Sequence, residues 1–116
     1  MKVTVYGIRN CDTMKKALAW LDRHGVAYAF HDYKKAGVPR DRLLAWADAV
    51  GWERLANTRG PTWRKIPETA KQDLDQARAL ALLAENASAI RRPVVEWGRR
   101  VTVGFDAAEF GRMSAQ

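Results

Sequence analysis

One cysteine, Cys11, and two histidines, His24 and His31, are all the Cys and His this 116-residue chain has. A single Cys cannot close an intramolecular disulfide, and one Cys with two scattered His cannot fill a four-ligand zinc site. Structural disulfides, a metal and a tightly bound cofactor are therefore not expected. If the lone thiol does redox chemistry, its resolving thiol must come from another molecule. No apolar run approaches the roughly 18 residues of a membrane span. The opening Met1-Lys2-Val3-Thr4-Val5-Tyr6 runs straight into a strand-like pattern and lacks the features of a secretory signal. The expectation is a soluble, cytoplasmic protein. Acidic residues are also short, 13 against 20 Lys and Arg, which gives a net charge of +7. That excess favours anionic partners. The basic residues are spread along nearly the whole chain, with acids among them and no separate basic tail, so a small acidic substrate fits better than nucleic acid.

What is present reads as one domain, residues 1–116, of mixed α/β class. Val3 and Val5 mark a strand ending at Tyr6-Gly7, and the loop from Gly7 to Asp12 follows. From Thr13, the residues Met14, Ala17, Leu18 and Leu21 recur at helical spacing, and Gly25 is the expected stop. Cys11 thus lies just before a helix. Val26, Tyr28 and Phe30 alternate toward Asp32 as a second strand, completing a βαβ unit. Pro39 precedes a helix carrying Leu43, Ala47 and Val50, with Gly51 as its stop. Asn57-Thr58-Arg59-Gly60-Pro61-Thr62 is dense in turn formers and reads as an ordered loop. After Pro67 one or two helices are expected, with Leu74, Ala77, Leu80, Ala81 and Ala84 as the buried stripe and Asp75 as a cap. Val94-Val95-Glu96 and Val101-Thr102-Val103 flank the turn Trp97-Gly98-Arg99-Arg100 as a hairpin. Asp106 caps a closing helix with Ala107, Ala108 and Phe110. This order predicts a mixed sheet of about four strands interrupted by a helical insertion.

A nucleophilic thiol must ionise, and an ordinary Cys with a pKa near 8.5 is only about 3% thiolate at pH 7. A helix N-terminus contributes roughly 0.3–1 kcal/mol toward the anion, well under one pH unit, so cationic side chains must do much of the rest. Two Arg-bearing turns offer them: Arg59 in Asn57-Thr58-Arg59-Gly60, and Arg92 in Ile90-Arg91-Arg92-Pro93. Arg is always charged and binds oxyanions bidentately, so either residue suits a thiolate or a substrate carboxylate. The plainer alternatives are a small buried hydrophobe for Cys11 and surface salt bridges for the arginines. Pro93 taken alone favours a trans bond. His24 and His31 are given no role, and the five Trp read as core, Trp63 least clearly.

Together, Tyr6-Gly7-Ile8-Arg9-Asn10-Cys11-Asp12-Thr13, Asn57-Thr58-Arg59-Gly60, Ile90-Arg91-Arg92-Pro93-Val94 and Val103-Gly104-Phe105-Asp106 resemble the arsenate reductase (ArsC/Spx) family, especially its YffB-like branch. The resemblance spans nearly the entire chain. It implies a thioredoxin-like fold with a helical insertion, a nucleophile at Cys11 and a cis proline at Pro93. It also implies an anion pocket using Arg59 and Arg92, with glutathione and glutaredoxin resolving the oxidised Cys. Three positions depart from the arsenate-reducing pattern. Gly104 stands where those members carry a third Arg, Gly7 where they carry a His four residues before the Cys, and Met14 where they carry a Ser three residues after it. Each change removes a polar or cationic partner of an inorganic oxyanion, with Arg9 and Arg64 left to compensate. Spx-type regulators, which bind RNA polymerase, carry Cys-x-x-Cys at this loop, whereas this chain reads Cys11-Asp12-Thr13-Met14, so an intramolecular switch is excluded.

The leading expectation is thus a glutathione-linked thiol-disulfide oxidoreductase. Cys11 is its nucleophile, Asn10, Asp12, Thr13 and Pro93 shape the pocket, and Arg59 and Arg92 hold anionic groups of a small anionic or disulfide substrate. Arsenate reduction with glutaredoxin and an Spx-like, partner-binding role without turnover are the alternatives.

Overall fold

The computed structural model describes residues 1–115, and their contacts divide into two compact units. The first comprises Met1–Gly37 together with the chain from Arg92 onward, and the second is Val38–Arg91.

The first unit is built on a four-stranded sheet. Its strands are β1 (Val3–Gly7), β2 (Ala29–Asp32), β3 (Val94–Trp97) and β4 (Arg100–Val103), in the order β2-β1-β3-β4. β1 pairs in parallel with β2 and antiparallel with β3, which pairs antiparallel with β4, giving the mixed sheet of a thioredoxin-like fold. Side chains alternate between the faces of a strand, so the register Val3↔Trp97 and Val5↔Val95 puts these four apolar residues on one face. Helices α1 (Asp12–Arg23) and α7 (Ala107–Ser114) cover that face with Met14, Ala17, Trp20, Leu21 and Phe110. The Phe110 ring stands edge-on to Trp20, Trp97 and Phe105, with centroids 5.6, 5.0 and 4.9 Å away. The indole N–H of Trp97 donates to Thr102 Oγ1 at 3.0 Å, which satisfies both buried polar groups.

Local chemistry sets where these elements end. The Gly25 N–H donates to the Asp22 carbonyl and the Val26 N–H to the Leu21 carbonyl, and Gly25 adopts φ +66°, which is the paired closure of a Schellman motif. Val26 is therefore committed to closing α1. As a result β2 begins only at Ala29, and the longer strand expected from Val26 and Tyr28 does not form. The hairpin turn is tighter than expected, because Trp97 and Arg100 pair with each other and leave Gly98-Arg99 as a two-residue turn, with Gly98 at φ +63°. Asp106 accepts from the Glu109 N–H and caps α7.

A four-residue helix, α2 (Tyr33–Ala36), closes the first segment of this unit. Within Val38–Arg91 the elements are helical: α3 (Arg40–Val50), α4 (Trp52–Leu55), α5 (Pro61–Lys65) and α6 (Gln76–Glu85), with 3-10 turns at Glu68–Lys71 and Ala87–Ala89. Three details differ from the sequence expectation. α4 was not anticipated. Pro61 starts α5 instead of lying in a loop, which suits a residue that has no N–H to satisfy at a helix start. On α6 the buried residues are Ala79 and Leu83, while Ala77 and Ala81 are exposed. The period was right and the phase was not, because alanine tolerates either face. Asp75 caps α6 through the Arg78 N–H. Trp63 is buried and structural: it stacks on Trp52, and Lys71 both donates to its carbonyl and lies over its ring. Among the described residues no helix is long and apolar enough to cross a membrane.

Candidate functional site

Cys11 is the N-cap of α1, with extended backbone angles (φ −152°, ψ 131°), and its carbonyl accepts the Lys15 N–H at 3.0 Å. An N-cap side chain projects toward the unpaired N–H groups of the first helical turn. The thiol makes no side-chain cap hydrogen bond of the Ser or Asp kind, so these amides act chiefly on its ionised form. Burial pushes the thiol pKa up. The Met14 N–H, the Arg92 guanidinium and the Thr13 N–H oppose that, and together they outweigh it, holding Cys11 below its ordinary value. Cys11 remains partly exposed, so a reagent can reach a stabilised anion.

Arg92 approaches the sulfur from the other segment of the same unit. It precedes Pro93, which is fully buried, and the Arg92–Pro93 bond is cis, opposite to the preference read from the residue alone and as the resemblance implies. The Pro93 carbonyl accepts the Gly104 N–H at 2.8 Å, which ties the start of β3 to the end of β4. Arg91, next in sequence, faces elsewhere, and its Nε donates to the Arg54 carbonyl.

Of the expected pocket residues, Cys11, Thr13 and Arg92 come together. Thr13 contributes its backbone, its side chain being exposed. Asn10 is exposed in the turn closed by the Cys11 N–H to Arg9 carbonyl bond, and Asp12 occupies the first turn of α1. Arg59 is exposed on the loop before α5, in the helical unit. The guanidinium of Arg9 lies 4.8 Å above the Phe30 ring in a cation–π contact.

Two features were not anticipated. The Met14 backbone N–H stabilises the Cys11 anion, whereas the sequence marks Met14 as an apolar helix residue and as a departure from a polar one. On the sheet face opposite the α1 core, Tyr6 Oη donates to Glu96 Oε1 at 2.9 Å, and the Tyr6 ring lies 5.1 Å from that of His31. Tyr33 is buried, and its hydroxyl has no hydrogen-bond partner among the described residues. Burial and the neighbouring Tyr6 and Glu96 push its pKa up, against the opposing charge of Arg92. Strand alternation puts Tyr6 and Glu96 on one face, but without the register their pairing could not be read from the sequence.

A family model described as the ArsC family matches residues 6–113. This chain belongs to the ArsC family. An uncharacterized protein of Haemophilus influenzae is 42% identical over 108 residues, covering 93% of this chain and 95% of that one. The global transcriptional regulator Spx of Streptococcus mutans is 29% identical over 92% of this chain and 79% of its own length. The solved structure of a protein named YFFB shares 46% identity with a TM-score of 0.94, covering 97% of this chain and 98% of that one. Within this ArsC-family chain Gly104 has φ +84°, a left-handed conformation in which an arginine would be strained.

Proposed function

We propose that this ArsC-family protein is a glutathione-linked thiol-disulfide oxidoreductase with Cys11 as its thiolate nucleophile. The observation that carries this reading is the convergence of two amide N–H groups and the Arg92 guanidinium on one partly exposed sulfur. The Cys11 thiolate attacks one sulfur of a disulfide, a new S–S bond forms, and the other sulfur leaves as a thiolate that takes a proton from solvent. Glutathione thiolate then attacks a sulfur of the mixed disulfide. Cys11 is released as thiolate, and the electrons come from glutathione. With a single Cys in the chain, resolution has to be intermolecular, by glutathione or by glutaredoxin. Arg92 binds a carboxylate of glutathione or of an anionic substrate, and Arg59, exposed in the helical unit, is assigned an anionic ligand of the same class. Asn10, Asp12 and Thr13 form the rim, which the buried Pro93 supports from within, and a reducing cytoplasm suits such chemistry.

Organic disulfides fit this site better than arsenate. Gly104 supplies no cation, and the Met14 side chain, fully buried in the sheet core, adds no polar donor for a tetrahedral oxyanion. Cys11→Ser should abolish exchange with a mixed glutathione disulfide while leaving the circular dichroism spectrum unchanged, and the wild-type Cys11 adduct should appear by mass as one glutathione. Undiminished turnover in the Ser variant would end this reading. Arsenate turnover with glutathione and glutaredoxin is expected to be absent. The similarity to Spx favours a second reading, a partner-binding regulator, and stable capture of RNA polymerase by the purified protein would support it.

A further inference from the structure

Arg9 is the cation of the Cys11 loop itself. Its carbonyl accepts the Cys11 N–H at 3.0 Å, which ties its backbone to the residue that carries the sulfur. Its exposed guanidinium lies 4.8 Å above the Phe30 ring, and among the described residues it makes no ion pair with a carboxylate. Asp22, an acid on the same flank, is engaged by the Tyr28 hydroxyl instead. The groups that hold the sulfur as an anion are the Met14 and Thr13 amides and Arg92, and Arg9 is not among them. The Arg9 charge is therefore available to a ligand. A cation–π contact at an exposed site is weaker than the two parallel N–H···O bonds that Arg makes to a carboxylate, so Phe30 orients the guanidinium and yields it when a carboxylate arrives.

The sheet order puts this cation opposite the other one. β1 lies between β2 and β3, and the Cys11 loop leaves the end of β1. Phe30 belongs to β2, pairs with Val5 and shares the face that α1 covers, whereas Arg92 comes just before β3. The two guanidinium groups thus flank the Cys11 loop from the β2 side and the β3 side. In-line attack on a disulfide puts the leaving sulfur opposite Cys11, so the half that stays bonded extends sideways, toward these flanks. A glutathionyl group has its sulfur in the middle and a carboxylate at each end. We propose that Arg9 is a specificity-determining residue that binds one terminal carboxylate of a glutathionyl group while Arg92 holds the other. This inference rests on the thiolate reading above and narrows its substrates to thiols flanked by carboxylates on both sides. In the step, the Cys11 thiolate bonds to the retained glutathionyl sulfur, the original S–S bond breaks, and the second glutathione leaves as a thiolate that takes a proton from solvent.

The test compares two disulfides on the full chain, anionic glutathione disulfide and neutral 2-hydroxyethyl disulfide, by the second-order rate at which each forms its Cys11 adduct, followed by mass. Arg9→Met should slow the reaction with glutathione disulfide about five- to twenty-fold, the scale of one lost charge-assisted contact, and leave the neutral disulfide within about two-fold of wild type. Arg9→Lys should recover part of the loss, because it restores the charge without the planar fork. The pH inflection of Cys11 alkylation by iodoacetamide should be the same in wild type and Arg9→Met. An unchanged rate with glutathione disulfide, or equal slowing with both disulfides, overturns the proposal. A shifted inflection also counts against it, since Arg9 would then act through the sulfur and not through the substrate. Wild-type protein that forms no adduct with either disulfide would instead remove the thiolate reading itself, so the two failures are distinguishable.

Discussion

At the scale of single residues, the chemistry depends on a balance at one sulfur. Burial opposes the anion, and two amides and Arg92 favour it. Removing the cation by Arg92→Met should therefore raise the Cys11 pKa and slow its alkylation at neutral pH, while the rate on the high-pH plateau changes little. A profile that does not move would show that the guanidinium is not engaged with the sulfur. The same balance couples to folding. Because the folded-state pKa lies below that of the unfolded chain, the unfolded state binds more protons between the two values, and stability rises with pH across that window. The contribution is complete above the unfolded pKa and is lost as pH falls through the folded one. Thermal melts of wild type and Cys11→Ser should diverge in that window, with the Ser variant showing the flatter pH dependence. Cys11 and Arg92 were legible in the sequence because each stands beside a breaker or a helix start, where side chains are free to serve a site. Met14 was not, since its contribution is a backbone N–H and no residue type signals that.

At the scale of elements, caps and phases are what the sequence encodes well and badly. Asp75 and Asp106 announce α6 and α7, and each accepts an N–H three residues on. Asp106→Ala should destabilise the protein by about 0.5–2 kcal/mol in urea titrations, the usual range for a lost N-cap. Gly111 lies within α7 with open space at its Cβ position, so Gly111→Ala should stabilise by roughly 0.5–1 kcal/mol. A loss of stability in that variant would contradict the helical assignment there. The misreading of α6 has a simple origin: Ala77, Ala79 and Ala81 are chemically identical, and only the position of Leu83 in the packed unit distinguishes the buried alanine. The early end of β2 could not be read either, because Val26 looks like a strand residue until the Schellman closure takes it.

At the scale of the whole molecule, the succession of elements along the chain and the fold class follow from hydrophobic periodicity, whereas the pairing of distant segments does not. β1 sits between β2 and β3 although nearly ninety residues separate it from the latter. That long-range pairing brings Arg92 to Cys11. Phe110, from the last helix, seals the sheet core against Trp20 and Trp97. Phe110→Ala should cost about 3–5 kcal/mol, seen as a lower urea midpoint with an unchanged slope. The net charge of +7 is spread along the chain, so retention of DNA should be weak and should vanish with modest salt. The account stands most directly on the rate of Cys11 alkylation measured from pH 4 to pH 10. It predicts an inflection below that of free cysteine, and an inflection at or above that value would contradict it.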